Sequence, residues 1–319
     1  IYKVVGNTAI DLPETAPASM EEVPDMAGQE AVEYEVPEVT TDPTKPTVLL
    51  FSEVGMGAQG GMGGASDLCW STYFGGNRTD WVTESGKDWL DNYYVTGHTR
   101  SAPFTFPGGP GGPNVLLSGT YYGTLSQFNN DERLMWTTML RGGVNVMTYP
   151  EALAVRNTNS PEIYIGGNLF NGPPNFFTLL SPGSPAYFDN TPSTSGTNSF
   201  ICRFNVQGQV RWSTYWGERT QIYGMAISDR RLVITGGTFV PLPTPVISAP
   251  GGATSWPPQA TLGSASDAYV YAFDPLDRTN WRCYLGGSSH DGGYDVRAKG
   301  NSIYVLGTTQ STDFTTLNE

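Results

Sequence analysis

The sequence predicts an all-β chain: a β-propeller of four-stranded antiparallel blades, about four of them, joined by long Pro/Gly-rich connections. Three observations carry that expectation. Four tryptophan segments recur: Trp70-Ser-Thr-Tyr-Phe-Gly-Gly, Trp136-Thr-Thr-Met-Leu-Arg-Gly-Gly, Trp212-Ser-Thr-Tyr-Trp-Gly and Trp281-Arg-Cys-Tyr-Leu-Gly-Gly. Each is followed by a second recurring strand, Tyr93-Tyr-Val-Thr-Gly, Ile163-Tyr-Ile-Gly-Gly, Leu232-Val-Ile-Thr-Gly and Ile303-Tyr-Val-Leu-Gly. The period is about 65–75 residues, which marks radial β repeats. Third, glycine (39 residues), proline (24) and aromatics (12%) are plentiful while charged residues reach only 15%, a mix that suits short strands and turns better than helices.

Residues 1–46 read as an acidic, extended lead-in. Ten acidic residues and no lysine or arginine lie between Asp11 and Asp42, so most of the net charge of −13 sits in this segment. Its prolines, within Glu33-Tyr-Glu-Val-Pro-Glu-Val-Thr-Thr-Asp-Pro, disfavour a central strand. Ile1-Tyr-Lys-Val-Val has neither a charged n-region nor an apolar h-region. The chain does not begin with methionine, which leads to the expectation of a processed or fragmentary product.

The propeller repeats are expected over 47–319. Thr47-Val-Leu-Leu-Phe-Ser reads as a first strand. Gly55-Met-Gly-Ala-Gln-Gly-Gly-Met-Gly-Gly after it lacks the following helix that a phosphate cradle needs. The third unit is clearest: Ser199-Phe-Ile-Cys-Arg-Phe, a turn at Asn205-Val-Gln-Gly-Gln, then Val210-Arg-Trp-Ser-Thr-Tyr-Trp. Gly224-Met-Ala-Ile-Ser, a turn at Asp229-Arg230 and Leu232-Val-Ile-Thr-Gly follow. The fourth unit repeats this with Ala268-Tyr-Val-Tyr-Ala-Phe, Asp274-Pro-Leu-Asp-Arg and Trp281-Arg-Cys-Tyr-Leu. The long connections Thr99–Asn114, Asn168–Asn198 and Thr238–Ser266 recur in register, so they are expected on one side of the disc. The chain opens on an outer half-blade and closes on an inner one. These halves either pair to close a four-bladed ring or belong to a larger ring, and the continuation at Gln310-Ser-Thr-Asp-Phe-Thr-Thr favours the larger ring.

The repeat resembles the bacterial β-propeller repeat often called SBBP, with its pattern Asp-Ala-Phe-Val, turn, Trp-Ser-Thr-Tyr-Leu-Gly-Gly, then Tyr-Val-Thr-Gly. Asp267-Ala-Tyr-Val-Tyr-Ala-Phe-Asp-Pro, Trp281-Arg-Cys-Tyr-Leu-Gly-Gly and Asn301-Ser-Ile-Tyr-Val-Leu-Gly-Thr-Thr carry the match, over roughly Asp67 to Phe314. The second unit departs most, with Met139 for tyrosine and an extra Arg141. The resemblance implies a secreted or cell-surface bacterial protein, often a type IX export client, with no common enzyme activity.

Candidate chemistry is sparse. No stretch of about 20 apolar residues spans a membrane, and the acidic balance disfavours nucleic acid and anionic membranes. The expected partner is another protein or a surface glycan. The only histidines, His98 and His290, lack a nucleophile elbow and read as loop residues. Ser289-His-Asp291-Gly-Gly293 matches the core of an Asp-box but follows an outermost strand, the wrong context. Two histidines exclude a His-rich metal centre; no cofactor is expected, calcium on carboxylates being the one class left open, although no Asp-x-Asp-x-Asp-Gly loop occurs. Cys69, Cys202 and Cys283 read as small buried residues, one disulfide remaining open. Trp70, Trp136, Trp212 and Trp281 are expected in inter-blade packing. Trp81, Trp89 and Trp256 lie outside that register and are the ligand-contact candidates. The leading expectation is a non-enzymatic adhesive or structural module displaying its loops; a polysaccharide-active glycosidase or lyase and a component of the type IX export assembly are the alternatives.

Overall fold

The computed structural model describes residues 20–24, 30–34, 47–51, 70–75, 78–101, 121–141, 146–170, 186–192, 197–242, 261–263, 265–299 and 302–314. Every regular element among them is a β-strand. Strands β1 (Met20–Pro24) and β2 (Glu30–Tyr34) pair antiparallel inside the acidic lead-in, a pairing that its prolines did not announce. Strands β3 (Thr47–Phe51) and β4 (Trp70–Phe74) form a second two-stranded sheet.

Three four-stranded antiparallel meanders follow. The first is β5 (Asp80–Lys87), β6 (Tyr93–Thr99), β7 (Tyr122–Phe128) and β8 (Leu134–Leu140). The second is β9 (Met147–Arg156), β10 (Glu162–Phe170), β11 (Asn198–Asn205) and β12 (Val210–Glu218). The third is β13 (Thr220–Ser228), β14 (Arg231–Thr238), β15 (Asp267–Phe273) and β16 (Thr279–Leu285). A last pair, β17 (Asp291–Lys299) and β18 (Ser302–Thr309), ends the described chain. The departures at Met139 and Arg141 leave the first meander complete.

Turn chemistry repeats with the sheets. Between third and fourth strands the side-chain oxygen of Asn129, Asn205 or Asp274 accepts two backbone N–H groups, at 2.8–3.2 Å. Three residues on, Glu132, Gly208 and Asp277 take positive φ of 64°, 74° and 58°. An Asx side chain that mimics a backbone turn explains why Asn or Asp recurs there.

The first strand of each of the four sheets from β5 onward carries the same irregularity. Pairing slips by one residue between Val82 and Glu84, between Ala152 and Pro150, between Ile222 and Gly224, and between Gly293 and Asp295. Each β-bulge leaves one residue unpaired and turns the strand. A carbonyl beside the bulge then presses on the second strand, where a Cβ on Gly97, Gly167, Gly236 or Gly307 would collide with it. This close approach is the physical reason for the recurring glycine in the Thr-Gly and Gly-Gly motifs.

Aromatic burial joins one sheet to the next. Trp212 and Trp216 are fully buried, together with Tyr269, Tyr271, Phe273 and Tyr284 from the third meander. Trp216 meets Tyr271 edge-on at 4.4 Å and Phe273 at 5.3 Å, geometry that adds to area burial. The second-to-third junction also holds a charge network: Asp277 accepts from Arg203 Nη1 at 2.5 Å and from the Tyr164 hydroxyl at 2.8 Å. Arg156, 3% exposed, bonds Glu162 at 2.6 Å. The first strands lie side by side, β5 against β9, β9 against β13, β13 against β17. Arg297 on β17 reaches Glu84 on β5 at 3.5 Å.

Candidate functional site

The antiparallel order places the starts of first strands and the ends of second strands at the same rim, and the long connections leave from there. Five rings gather at this rim. Trp81, second residue of β5, stacks on His98 of β6 with centroids 4.6 Å apart and planes 30° from parallel. Tyr149 of β9 meets His98 edge-on at 4.6 Å, and Tyr121, just before β7, lies 5.6 Å from it. Tyr121 and Tyr149 are 5.3 Å apart, and Phe170 at the end of β10 closes on Tyr149 at 5.6 Å. The exposed Arg100 lays its guanidinium over the Tyr121 ring at 4.8 Å.

Electrostatics follow from this packing. His98 Nδ1 has no hydrogen-bond partner among the described residues. Burial lowers its pKa from 6.5 to about 4, so the imidazole is neutral at physiological pH. Burial raises the Tyr149 hydroxyl above its ordinary value, and the neighbouring Tyr121 and Glu151 push the same way.

Beside the rings, the bulges bring a second group together. The bulged residues are Thr83, Glu151, Tyr223 and Tyr294, one from each first strand. Tyr223 and Tyr294 lie 5.7 Å apart, and Thr83 Oγ1 donates to the Pro150 carbonyl at 2.7 Å. Burial, then the Glu151 charge, raises the Tyr223 pKa. Tyr294 is 45% exposed. Flat ring faces, hydroxyl donors and one carboxylate on neighbouring strands suit a ligand with both apolar faces and hydroxyls.

Of the ligand-contact candidates, only Trp81 enters this cluster. Trp89 lies in the β5–β6 turn at the opposite rim, where its Nε1 donates to the Thr158 carbonyl at 3.0 Å. Trp256 lies outside the described residues, as does Cys69. Trp136 is buried between the first two meanders and donates to the Val206 carbonyl at 3.1 Å. Trp212 donates to the Tyr187 carbonyl at 2.9 Å, and Trp281 packs against Cys283 and Val296. For Trp70 only the strand is described. Cys202 and Cys283 are free and buried, which raises both thiol pKa values, Cys283 to about 11.

The loop reading of His98 is corrected: it is a strand residue clasped by three rings, because its neighbours come from β5, β9 and the connection before β7. His290 accepts or donates one bond through Nδ1, to Ser266 Oγ at 2.9 Å. No carboxylate bonds its other nitrogen among the described residues, and Ser266 is buried, so the pair lacks the exposed nucleophile and oriented base of a triad. Tyr121, Tyr149, Phe170 and Arg100 carry no motif; the signal that finds them is register, since Trp81 and Tyr149 occupy equivalent places in successive first strands.

No family model and no curated protein matches the chain. Among solved structures, Pyrococcus horikoshii acylaminoacyl peptidase is similar at a TM-score of 0.23 and 10% identity, over 73% of this chain and 36% of that one.

Proposed function

We propose that the sheets are blades of a four-bladed β-propeller acting as a non-enzymatic recognition module, and that its ligand is a glycan held on the rim from which the long connections leave. The aromatic cluster of Trp81, His98, Tyr121, Tyr149 and Phe170 is the observation that carries the reading. Aromatic rings at a rim stack on the apolar face of a sugar, while hydroxyls such as that of Tyr294 and the Arg100 guanidinium meet its polar edges. The ring reading is supported by the identical bulge in all four first strands, by their side-by-side order, and by the Arg297–Glu84 contact between last and first. Binding is favoured over hydrolysis because burial keeps the one imidazole in the cluster neutral and leaves its Nδ1 without a partner among the described residues. A base of that kind is a weak proton acceptor near neutrality. An extracellular or cell-surface location belongs to the same proposal and rests on the repeat pattern.

A glycan array followed by calorimetry tests it. Trp81→Ala and Tyr294→Ala are expected to weaken binding by roughly tenfold or more each, with the fold retained by circular dichroism. Absence of any glycan binding overturns the reading, as does turnover of chromogenic glycosides abolished by Glu151→Gln.

A further inference from the structure

Two aspartates meet where the third meander passes to β17. Asp267 opens β15 and Asp291 opens β17; they are 0% and 5% exposed. Asp267 Oδ2 accepts the Gly263 N–H at 2.6 Å, and Asp291 Oδ2 accepts the Gly287 N–H at 2.9 Å and the Ser311 hydroxyl at 2.7 Å. Oδ1 of each has no hydrogen-bond partner among the described residues. Both carboxylates close on one point: a Cβ on Gly286 would touch Asp267 Oδ1 and lie 2.9 Å from Asp291 Oδ2. The Gly287 carbonyl is at hand, since a Cβ on Gly263 would touch it and lie 2.9 Å from Asp267 Oδ1.

The other junctions show that this is no general feature of the repeat. Asp80 opens β5 at the same register, and the hydroxyls of Thr99 and Ser101 donate to its two oxygens. At β17 the residue equivalent to Thr99 is Thr309, whose hydroxyl turns to the Ser311 carbonyl at 3.5 Å, and Asp291 Oδ1 goes without. Between the second and third meanders, Asn198 and Thr220 open the corresponding strands and bring no charge. Two adjacent buried carboxylates repel each other and lose hydration, so they require either a shared proton or a cation.

We propose that Asp267 Oδ1, Asp291 Oδ1 and the Gly287 carbonyl hold a divalent cation of the calcium class. Calcium takes six to eight oxygen ligands in flexible geometry, and partly exposed Gly286 and Gly287 leave room for water to complete the shell. The bound ion neutralises the carboxylate pair and ties the end of the β14–β15 connection, through Gly263, to the β16–β17 turn. This site is independent of the glycan reading.

Calorimetric titration of the full chain with calcium, together with thermal unfolding in calcium and in EDTA, tests it. Binding is expected in the roughly micromolar to millimolar range, with unfolding raised by about 4 °C or more at saturation. Asp267→Asn and Asp291→Thr copy the uncharged neighbouring junction, so each is expected to fold and to abolish both effects. Wild-type protein that gives no heat with calcium and unfolds identically in EDTA overturns the proposal. Calcium binding undiminished in both variants overturns it equally.

Discussion

Acidification tests the aromatic cluster directly, because the imidazole of His98 stands at its centre. The folded-state pKa of His98, about 4, lies below the value of 6.5 expected in the unfolded chain. The unfolded state therefore binds the proton more tightly. Stability is complete above the unfolded pKa and drains away as pH falls toward the folded one. The facing groups do not offset this: Tyr149 stays neutral with its pKa raised, and Arg100 over Tyr121 adds positive charge nearby. Glu151 is an acidic neighbour of Tyr149 and raises its hydroxyl pKa further. Integrating the difference gives a loss of about 2 kcal/mol between pH 7 and pH 5, and about 3 kcal/mol across the whole window. Urea unfolding followed by tryptophan fluorescence at pH 7, 6 and 5 measures it. His98→Phe keeps a ring against Trp81 and removes the titration, so its stability is expected to fall less by about 2 kcal/mol at pH 5. Parallel stability curves for wild type and His98→Phe would refute the placement of this imidazole among the rings.

Three further outcomes follow from the repeat architecture. Gly236→Ala drives a Cβ into the Gln221 carbonyl, whereas Gly237→Ala meets nothing within 4 Å; urea titration is expected to show a loss of about 3 kcal/mol or more for the first and under about 1 kcal/mol for the second. Asp277→Ala strips the partner from Arg203 and Arg156 in a buried network, for a loss of about 3–5 kcal/mol, against about 1 kcal/mol for Tyr164→Phe, read by the same titration. Cys202 and Cys283 are buried with raised thiol pKa values, so peptide-mapped alkylation should label both only after denaturation.

Much of the strand order was legible because turn and strand chemistry repeat in the sequence itself. Asn129, Asn205 and Asp274 mark one turn three times, and the glycines of Gly97, Gly167, Gly236 and Gly307 mark one close approach four times. The bulges were not legible. A strand of period two assigns faces by counting, and one extra residue at Thr83, Glu151, Tyr223 or Tyr294 reverses the count beyond it. The rim cluster carries no local motif, because its rings come from β5, β6, β9, β10 and the residue before β7, although Trp81 stood out as an aromatic outside the repeat register. Asp267 and Asp291 are separated by a hairpin and a turn, so no local spacing joins them. The pairing of β1 with β2 was hidden by prolines at the end of β1 (Pro24) and after β2 (Pro37 and Pro43).

Closure of the proposed ring turns on the two-stranded sheets β3–β4 and β17–β18, and the side chains of β18 define what would complete them. Tyr304 holds the register of Tyr94 and Tyr164, both fully buried, yet it is 61% exposed, and Leu306 is 66% exposed. Among the described residues, β3 and β4 pair with no further strand. They already lie near the gap, because Phe74 at the end of β4 packs on Val95 and Phe128 of the first meander. In a four-bladed ring β3 would supply a third strand beside β18. Hydrogen exchange on the full chain reads this out. Closure by the chain's own hairpin gives β18 amides protection comparable to β6 and β10, independent of protein concentration, and removing residues 1–75 abolishes it in β18 before other strands are affected. Fast exchange along β18 in the intact chain would refute closure by this hairpin. Protection that grows with concentration would place the missing strand on a second copy.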